Sequence, residues 1–415
     1  METVIKKRGS GYHIQWIEGI ECYVSRIREN PDRIKCEVAI LLNGEPLTRS
    51  SPVLNSESGK DSLIRKLKRR RPQEDFNIDW EAIIEELCGL VIDSHREGEA
   101  VLEISQVPQE NSLTWRVEGI LPEGNACLVY GDGGSGKSYY ATYLAVLMDQ
   151  GYLNTDLNMT IEPGRVLYMD WETDEFEISN RVKSIHRGLN IDKKSGILYR
   201  RCSQPLIAEV DRIVDIVAQK KVDVLIADSL GLATGGNLEE AESTLAFFQA
   251  LRMIGKTSLV ISHTNKAGQS FGSVYATNSS RMCWFAEGTP SDDGSGIDLS
   301  LFHKKANNVA TQSDMGWHLQ FDDDLGVTFS PQDVIDTASA GKMTIPRIIF
   351  EILRKQGEQT KEELREAVAS KKAMTPESIK PAFNTALTRL KQAGKIQVSK
   401  DRVGLSGLEE GTWEV

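Results

Sequence analysis

The chain is predicted to be an α/β protein built on a mostly parallel sheet. A small α+β domain precedes that core, and a module of three helices and a hairpin follows it. Three observations predict this. Short apolar strands alternate with amphipathic helices from about 110 to 332, the pattern of a parallel sheet covered on both faces. β-rich runs followed by two helices fill residues 1–100. A polar stretch, SPQDVIDTASAGKM, reads as a linker to a last segment, 342–415, with helical periodicity.

In the first segment the strands are Tyr12–Ile17, Cys22–Ile27 and Arg33–Leu42, with Asn43-Gly44 as a hairpin turn. Helices follow over Asp61–Arg71 and Asp79–Arg96, the second with Ile83, Ile84, Leu87, Leu90 and Val91 at helical spacing. The first carries Arg65, Lys66, Lys68, Arg69, Arg70 and Arg71. That run suits either a nucleic-acid or partner contact or a solvated face. In the central segment the strands are Ala126–Tyr130, Arg165–Asp170, Val222–Asp228, Ser258–His263 and Ile297–Phe302.

The bulk numbers fit this plan. A chain of 415 residues has room for two to three domains of roughly 100–200 residues each. It is 40% hydrophobic and 26% charged, the composition of a folded globular protein. No apolar run reaches the roughly 18 residues of a membrane span, and METVIKKRGSGYHIQW lacks the apolar core of a secretory signal. A cytoplasmic, non-membrane protein is expected. Six cysteines lie far apart with no C-x-x-C pair, so reduced core thiols and no zinc are expected. The net charge is −11, yet Lys342–Arg402 holds 14 basic and seven acidic residues, so that stretch is +7 and the rest −18. A basic C-terminal module on an acidic body suits local contact with DNA.

The strongest motif is Gly131-Asp132-Gly133-Gly134-Ser135-Gly136-Lys137-Ser138, a full G-x-x-x-x-G-K-[ST] between the strand ACLVY and the helical YYATYLAVLMDQ. Glycines let backbone N–H groups turn around phosphates, and the helix N-terminus adds favourable charge. Lys137 is expected on the β- and γ-phosphates of ATP, and Ser138 on Mg²⁺. Asp228, ending the apolar run VDVLIAD, is the second metal-site carboxylate, with helix capping at Asp228 or Ser229 as the plainer reading. A water-activating group is also needed. Glu172 in YMDWETD is favoured over Asp170, which the pattern keeps inside the strand. His263 ends another strand, where α/β ligands bind, and either senses the γ-phosphate or simply packs.

In this order the motifs GDGGSGKS, LYMDWETD, VLIADSLG and VISHTNKAG…GS…R resemble the RecA-fold AAA-type ATPases related to RepA, the hexameric replicative helicase of plasmids. The resemblance spans Trp115 to Phe321. It implies a RecA-like P-loop core and an ATP site between subunits of a ring. Glu172 takes the position of the family's catalytic glutamate and His263 that of its strand-end histidine. Arg281, in GSVYATNSSRMCW, takes that of an arginine reaching a neighbour's γ-phosphate. Lys305, with Lys304 the other candidate, takes that of a lysine in a K-x-N pattern. Such cations would stabilise charge on the transferring phosphoryl group. Channel-facing loops in such rings would put Lys266 on the phosphates of single-stranded DNA and stack Phe271 on a base; flexible loops explain the same composition.

The last segment reads as a helix from Thr344 to Gly357, a second opened by the capping box Thr360-Lys-Glu-Glu363, and a third. The third carries Ile379, Ala382, Phe383, Ala386, Leu387 and Leu390; Pro381 puts its start near Ser378. Gly394 and the strands in KIQVSKDRVGLS follow. The pattern resembles a winged helix-turn-helix. Lys380, Asn384, Thr388 and Lys391 lie opposite the apolar stripe, where duplex DNA would be met, although many winged helices bind proteins. The expected function is Mg²⁺-dependent ATP hydrolysis by a homo-oligomer, a hexamer, acting on DNA. The leading form is a RepA-like helicase of a plasmid, phage or integrated element. The rivals are an ATP-switched DNA-binding regulator or loader and an assembly component in defence or transposition.

Overall fold

The structure, a computed structural model, describes residues 3–70, 78–99, 101–106, 114–151, 159–236, 241–264, 273–307, 312–324 and 326–406. The chain divides into two compact units. One is Met1–Leu113 with Leu206–Lys221 and Ala250–Ile254, and the other holds the remainder.

The first unit contains a meander of β1 (Val4–Arg8), β2 (Gly11–Gln15), β3 (Ile20–Asn30), β4 (Arg33–Leu42) and β5 (Glu45–Ser50), followed by α1 (Glu57–Arg70) and α2 (Trp80–Glu97). Strict alternation in β4, with Ile34, Cys36, Val38, Ile40 and Leu42 buried, gives the sheet one apolar face. Leu63 and Leu67 of α1 and Ile83, Ile84, Leu87 and Val91 of α2 join those residues in one core. Asn43 and Gly44 have φ of 51° and 82°, as a type I′ hairpin turn demands. The Asp79 side chain caps α2 by accepting from the N–H groups of Glu81 and Ala82. Most of the basic run on α1 is engaged locally. Lys66 donates to Ser50 Oγ at 2.9 Å, Lys68 pairs with Glu81 at 2.7 Å, and Arg70 donates to the Leu47 carbonyl at 2.9 Å. The sequence missed β1 and β5, whose alternation is short and weak.

The second unit begins with β6 (Trp115–Val117) and β7 (Leu121–Pro122). Its core elements are β8 (Ala126–Gly131), α3 (Lys137–Gln150), β9 (Val166–Asp170), α4 (Glu175–Gly188) and β10 (Leu198–Arg201). Helix α5 (Leu206–Lys220) and the end of α7 (Ala241–Ile254) belong to the first unit. The second unit continues with β11 (Val224–Asp228), α6 (Leu230–Ala233), the start of α7, β12 (Thr257–His263) and α8 (Ser273–Ser279). The sheet ends with β13 (Met282–Pro290), β14 (Gly296–Ala306), β15 (Met315–Asp322) and β16 (Gly326–Gln332). The strand order is β10-β9-β11-β12-β8-β13-β14-β15-β16. All pairs from β10 to β13 are parallel, and β13 to β16 pair antiparallel. This is a mixed α/β sheet with a RecA-like core, as the sequence predicts. Of the antiparallel extension the sequence reads only β14 as a strand, and there as part of the parallel sheet. Helix α3 is buried along nearly its whole length, Tyr140 to Met148, so its apolar residues show no single stripe.

The C-terminal segment has α9 (Ile345–Gln356), β17 (Gln359–Thr360), α10 (Lys361–Lys371), α11 (Pro376–Gln392), β18 (Ile396–Ser399) and β19 (Arg402–Leu405). The strands form a three-stranded sheet, β17-β19-β18. Both halves of the Thr360–Glu363 capping box are made. Helix α11 starts earlier than the expected Ser378: Pro376 is its first residue, and Thr375 Oγ1 accepts from the Ser378 N–H. Pro381 therefore lies in the second turn, and both it and Glu377, whose carbonyl loses its partner, are exposed. Ala382, expected in the apolar stripe, is exposed as well.

The expected linker after Phe329 is a packed seam. Residues Val334–Asp336 and Ala338–Lys342 form 3₁₀ turns. Val334, Ile335, Ala340 and Met343 are buried in one cluster with Phe302 of β14 and with Ile348, Ile349, Ile352, Leu364, Ile379 and Phe383. Lys371 Nζ donates to the Ile335 carbonyl at 2.7 Å, Lys372 Nζ to that of Gly341 at 2.8 Å, and Lys342 pairs with Glu287 of β13 at 2.5 Å. The small polar residues disguise this, because the buried apolar side chains Val334, Ile335, Ala340 and Met343 follow no regular spacing.

All six cysteines are buried and free, and among the described residues no helix is long and apolar enough to cross a membrane.

Candidate active site

The carboxyl ends of β8, β9, β11 and β12 lie side by side, because Asp228 is in register with Asp170, and His263 with Gly131. The carboxyl end of an open parallel sheet is the usual ligand position. From β8 the chain turns through Gly133, Gly134, Ser135 and Gly136 into α3, with φ of 75° at Gly134 and 86° at Gly136, a region that strains any L side chain. Lys137 is only 4% exposed, and its Nζ donates to the Asp132 carbonyl at 2.6 Å and to Ser135 Oγ at 3.1 Å. Burial lowers the Lys137 pKa, while the charges of Asp228, Asp132 and Glu172 oppose that shift. The Thr264 hydroxyl at the tip of β12 donates to Asp132 Oδ1, and its N–H bonds the Gly131 carbonyl, fastening the loop to its neighbour strand.

Strand β13 forms the loop's other wall. A Cβ on Gly131 would sit 2.0 Å from the Ala286 carbonyl oxygen, and one on Gly288 would sit 2.5 Å from Ser135 Cα. Neither backbone can yield without moving the loop. Gly288→Ala is therefore expected to weaken nucleotide binding at least tenfold, a loss of about 1.4 kcal/mol, without removing any polar group. Titration with a fluorescent nucleotide beside a thermal melt checks this.

Asp228 closes β11. Its Oδ2 accepts from the Tyr168 hydroxyl at 2.7 Å, while Oδ1 is buried with no hydrogen-bond partner among the described residues. Burial raises its pKa, and hydrogen bonds from Tyr168 and Ser138 counter the rise. Ser229 is the N-cap residue of α6, but its side chain makes no cap hydrogen bond. An unpartnered buried carboxylate oxygen beside the Ser138 hydroxyl fits a hard divalent cation. Ser138 and Asp228 are the residues that would hold Mg²⁺.

Glu172 lies just beyond β9, and His263 Nε2 is 3.2 Å from its Oε1, within reach to donate; both side chains are about two-fifths exposed. Asp170, the alternative, is fully engaged. Its Oδ1 accepts from the N–H groups of Glu172 and Thr173, each at 2.9 Å. Its Oδ2 accepts from the Thr173 hydroxyl at 2.6 Å and the Tyr199 hydroxyl at 3.1 Å. Asp170 shapes the turn that carries Glu172. The structure thus brings together Lys137, Ser138, Glu172, Asp228 and His263.

Arg281 and Lys305 are elsewhere. The Arg281 N–H bonds the carbonyl of Ala126, the first residue of β8, so it sits at the opposite end of the sheet from the loop. Five residues at a rise of about 3.3 Å separate them by roughly 17 Å. The Arg281 side chain is exposed and makes no hydrogen bond or ion pair with the described residues. Lys305 Nζ donates to the carbonyls of Thr277, Asn278 and Ser280 at 2.7, 3.0 and 2.8 Å, capping α8. Burial lowers its pKa, and the charge of Arg281 lowers it further. Lys304 instead lies over the rings of Phe285 and Phe302. Lys380, Asn384, Thr388 and Lys391 are all exposed on α11. Lys266 and Phe271 lie outside the described residues. Sequence reasoning missed Tyr168, Asp170 as a positioning group, and Thr264. A tyrosine inside an aliphatic strand was the available signal for Tyr168.

Residues 96–269 match the family model described as an AAA domain. No curated protein sequence matches the chain. Among solved structures it is similar to a KaiC-like protein of the hyperthermophilic archaeon Pyrococcus horikoshii, at 16% identity and a TM-score of 0.37, over 52% of this chain and 94% of that one. It is also similar to the flagellar accessory protein FlaH of Methanocaldococcus jannaschii, at 15% identity and a TM-score of 0.36, over 51% and 92%. The matched segment holds the phosphate loop, Glu172, Asp228 and His263. Residues 96–269 are thus similar to an AAA domain and hold a complete P-loop motif.

Proposed function

We propose that this protein is a ring-forming, Mg²⁺-dependent ATPase coupled to DNA, a hexameric RepA-like replicative helicase of a plasmid, phage or integrated element. The observation that carries the reading is the separation of Arg281 from the phosphate loop of its own chain. An exposed cation roughly 17 Å from that loop has no use there in cis, whereas a ring brings it to the neighbour's transferring phosphoryl group. Bound Mg²⁺ would neutralise charge on the β- and γ-phosphates. Lys137 would hold the same oxygens, and Glu172 would take a proton from the attacking water, with His263 linking that carboxylate to β12. Lys305 supports α8 beside Arg281 and holds no phosphate itself.

The C-terminal segment favours a second reading, an ATP-switched duplex-binding regulator or loader. It has three helices and a small sheet, like a winged helix, and Lys380, Asn384, Thr388 and Lys391 form a polar exposed face. One set of assays separates the readings. Hydrolysis is measured without DNA, with single strands and with duplex, beside strand separation on a fork. Arg281→Ala and Glu172→Ala proteins are then mixed. The helicase reading expects single-strand stimulation, unwinding, and activity in the mixture that neither protein has alone. No recovery at any ratio would remove the shared site. Slow turnover indifferent to single strands, with duplex affinity lost on replacing Lys380, Asn384 and Lys391 by alanine, would establish the second reading. Point changes are preferable to truncation, which would strip the buried seam around Phe302.

A further inference from the structure

Helix α4 carries a charge in its core stripe. Ile178 and Ile185 are buried in the main hydrophobic cluster, and Val182 packs against it. Arg181 stands on the same face, three residues after one isoleucine and four before the other. Its side chain is only 14% exposed. A guanidinium at such a position needs acceptors for its N–H groups. One is Glu177, one turn earlier, which is 49% exposed and bonds Nη2. Nη1 is buried and has no partner among the described residues.

The surroundings show what the guanidinium borders. The guanidinium lies over the ring of Tyr139, 5.3 Å from its centroid, and Tyr139 follows Ser138 in the first turn of α3. Its charge also favours the ionised forms of Asp228 and Tyr168. Arg181 therefore borders the corner built by Ser138, Tyr168 and Asp228. A planar donor fork with one arm spent and one arm free suits a phosphate oxygen.

We propose that Arg181 is a further nucleotide-binding residue of this site, donating from Nη1 to a phosphate oxygen of the bound nucleotide in the same chain. It would bind ATP from α4, the helix that follows the Glu172 turn. The inference rests on nucleotide binding at Lys137.

The test is the affinity of a fluorescent ATP analogue for Arg181→Met and Arg181→Lys, each measured in Mg²⁺ and again in EDTA, beside thermal melts. Arg181→Met is expected to bind roughly tenfold to a hundredfold more weakly in both buffers, with partial recovery in Arg181→Lys. A loss confined to Mg²⁺ buffer would overturn the proposal, because Arg181 would then serve only Asp228. Unchanged affinity in both buffers would overturn it too. Should the methionine variant melt early, Glu177→Gln reads the same contact from an exposed position. Freeing the guanidinium should tighten binding roughly twofold to fivefold, and no change counts against the contact. Wild-type protein that binds no nucleotide would instead remove the reading of Lys137, a separate failure.

Discussion

Lys137→Ala is expected to abolish ATP hydrolysis, lowering turnover by at least 10²–10³-fold, the scale of losing one preorganised donor to a transition-state oxyanion. Its side chain is almost wholly buried between the Asp132 carbonyl and Ser135 Oγ. The negative charges of Asp228, Asp132 and Glu172 all act on its ammonium. Alanine leaves the glycine turns and their backbone N–H groups in place, so the loop survives while its mobile charge is lost. Lys137→Arg should not rescue activity, since a planar fork cannot follow a tetrahedral phosphoryl group as a compact ammonium does. Phosphate release under saturating ATP decides it. Hydrolysis persisting within tenfold of wild type would move the site away from this loop.

How far the sequence could be read depended on how local each signal was. Strands β9, β11 and β12 are buried on both faces and declare themselves as continuous apolar runs. The phosphate loop is legible because its spacing is dictated by backbone geometry within eight residues. Asp228 and His263 are legible as polar residues ending those runs. What escaped depends on pairing across the chain. The four donors to Asp170 come from the next turn and from Tyr199, 29 residues away, so its structural duty has no local signature. Arg181 was readable in principle, as the charge interrupting Ile178, Val182 and Ile185.

The seam that ties the C-terminal segment to the sheet escaped for the same reason. Glu287 and Lys342 are 55 residues apart and become partners only once β13 is paired. Side chains alternate along a strand. Gly288 and Ala286 press on the phosphate loop, while Glu287, between them, reaches Lys342. Phe285, on the Glu287 side, lies beneath the cations of Lys304 and Lys342. One strand thus supports the phosphate loop on one face and the last segment on the other.

Glu172→Gln should separate binding from chemistry. The amide keeps the size of the side chain and its contact with His263 but cannot take a proton from water. Turnover should fall about 10²–10⁴-fold, the usual contribution of a general base, with nucleotide affinity within about threefold of wild type, a change of less than 1 kcal/mol. The competing assignment gives a different signature. Asp170 accepts four hydrogen bonds, two of them from backbone N–H groups. An asparagine there turns one acceptor into a donor facing other donors, which costs about 1–3 kcal/mol. Asp170→Asn should therefore melt lower and lose activity by displacing Glu172, whereas Glu172→Gln, half-exposed, should melt like wild type. A Glu172→Gln enzyme that still turns over, beside an Asp170→Asn enzyme that is stable but inactive, would transfer the role of base to Asp170.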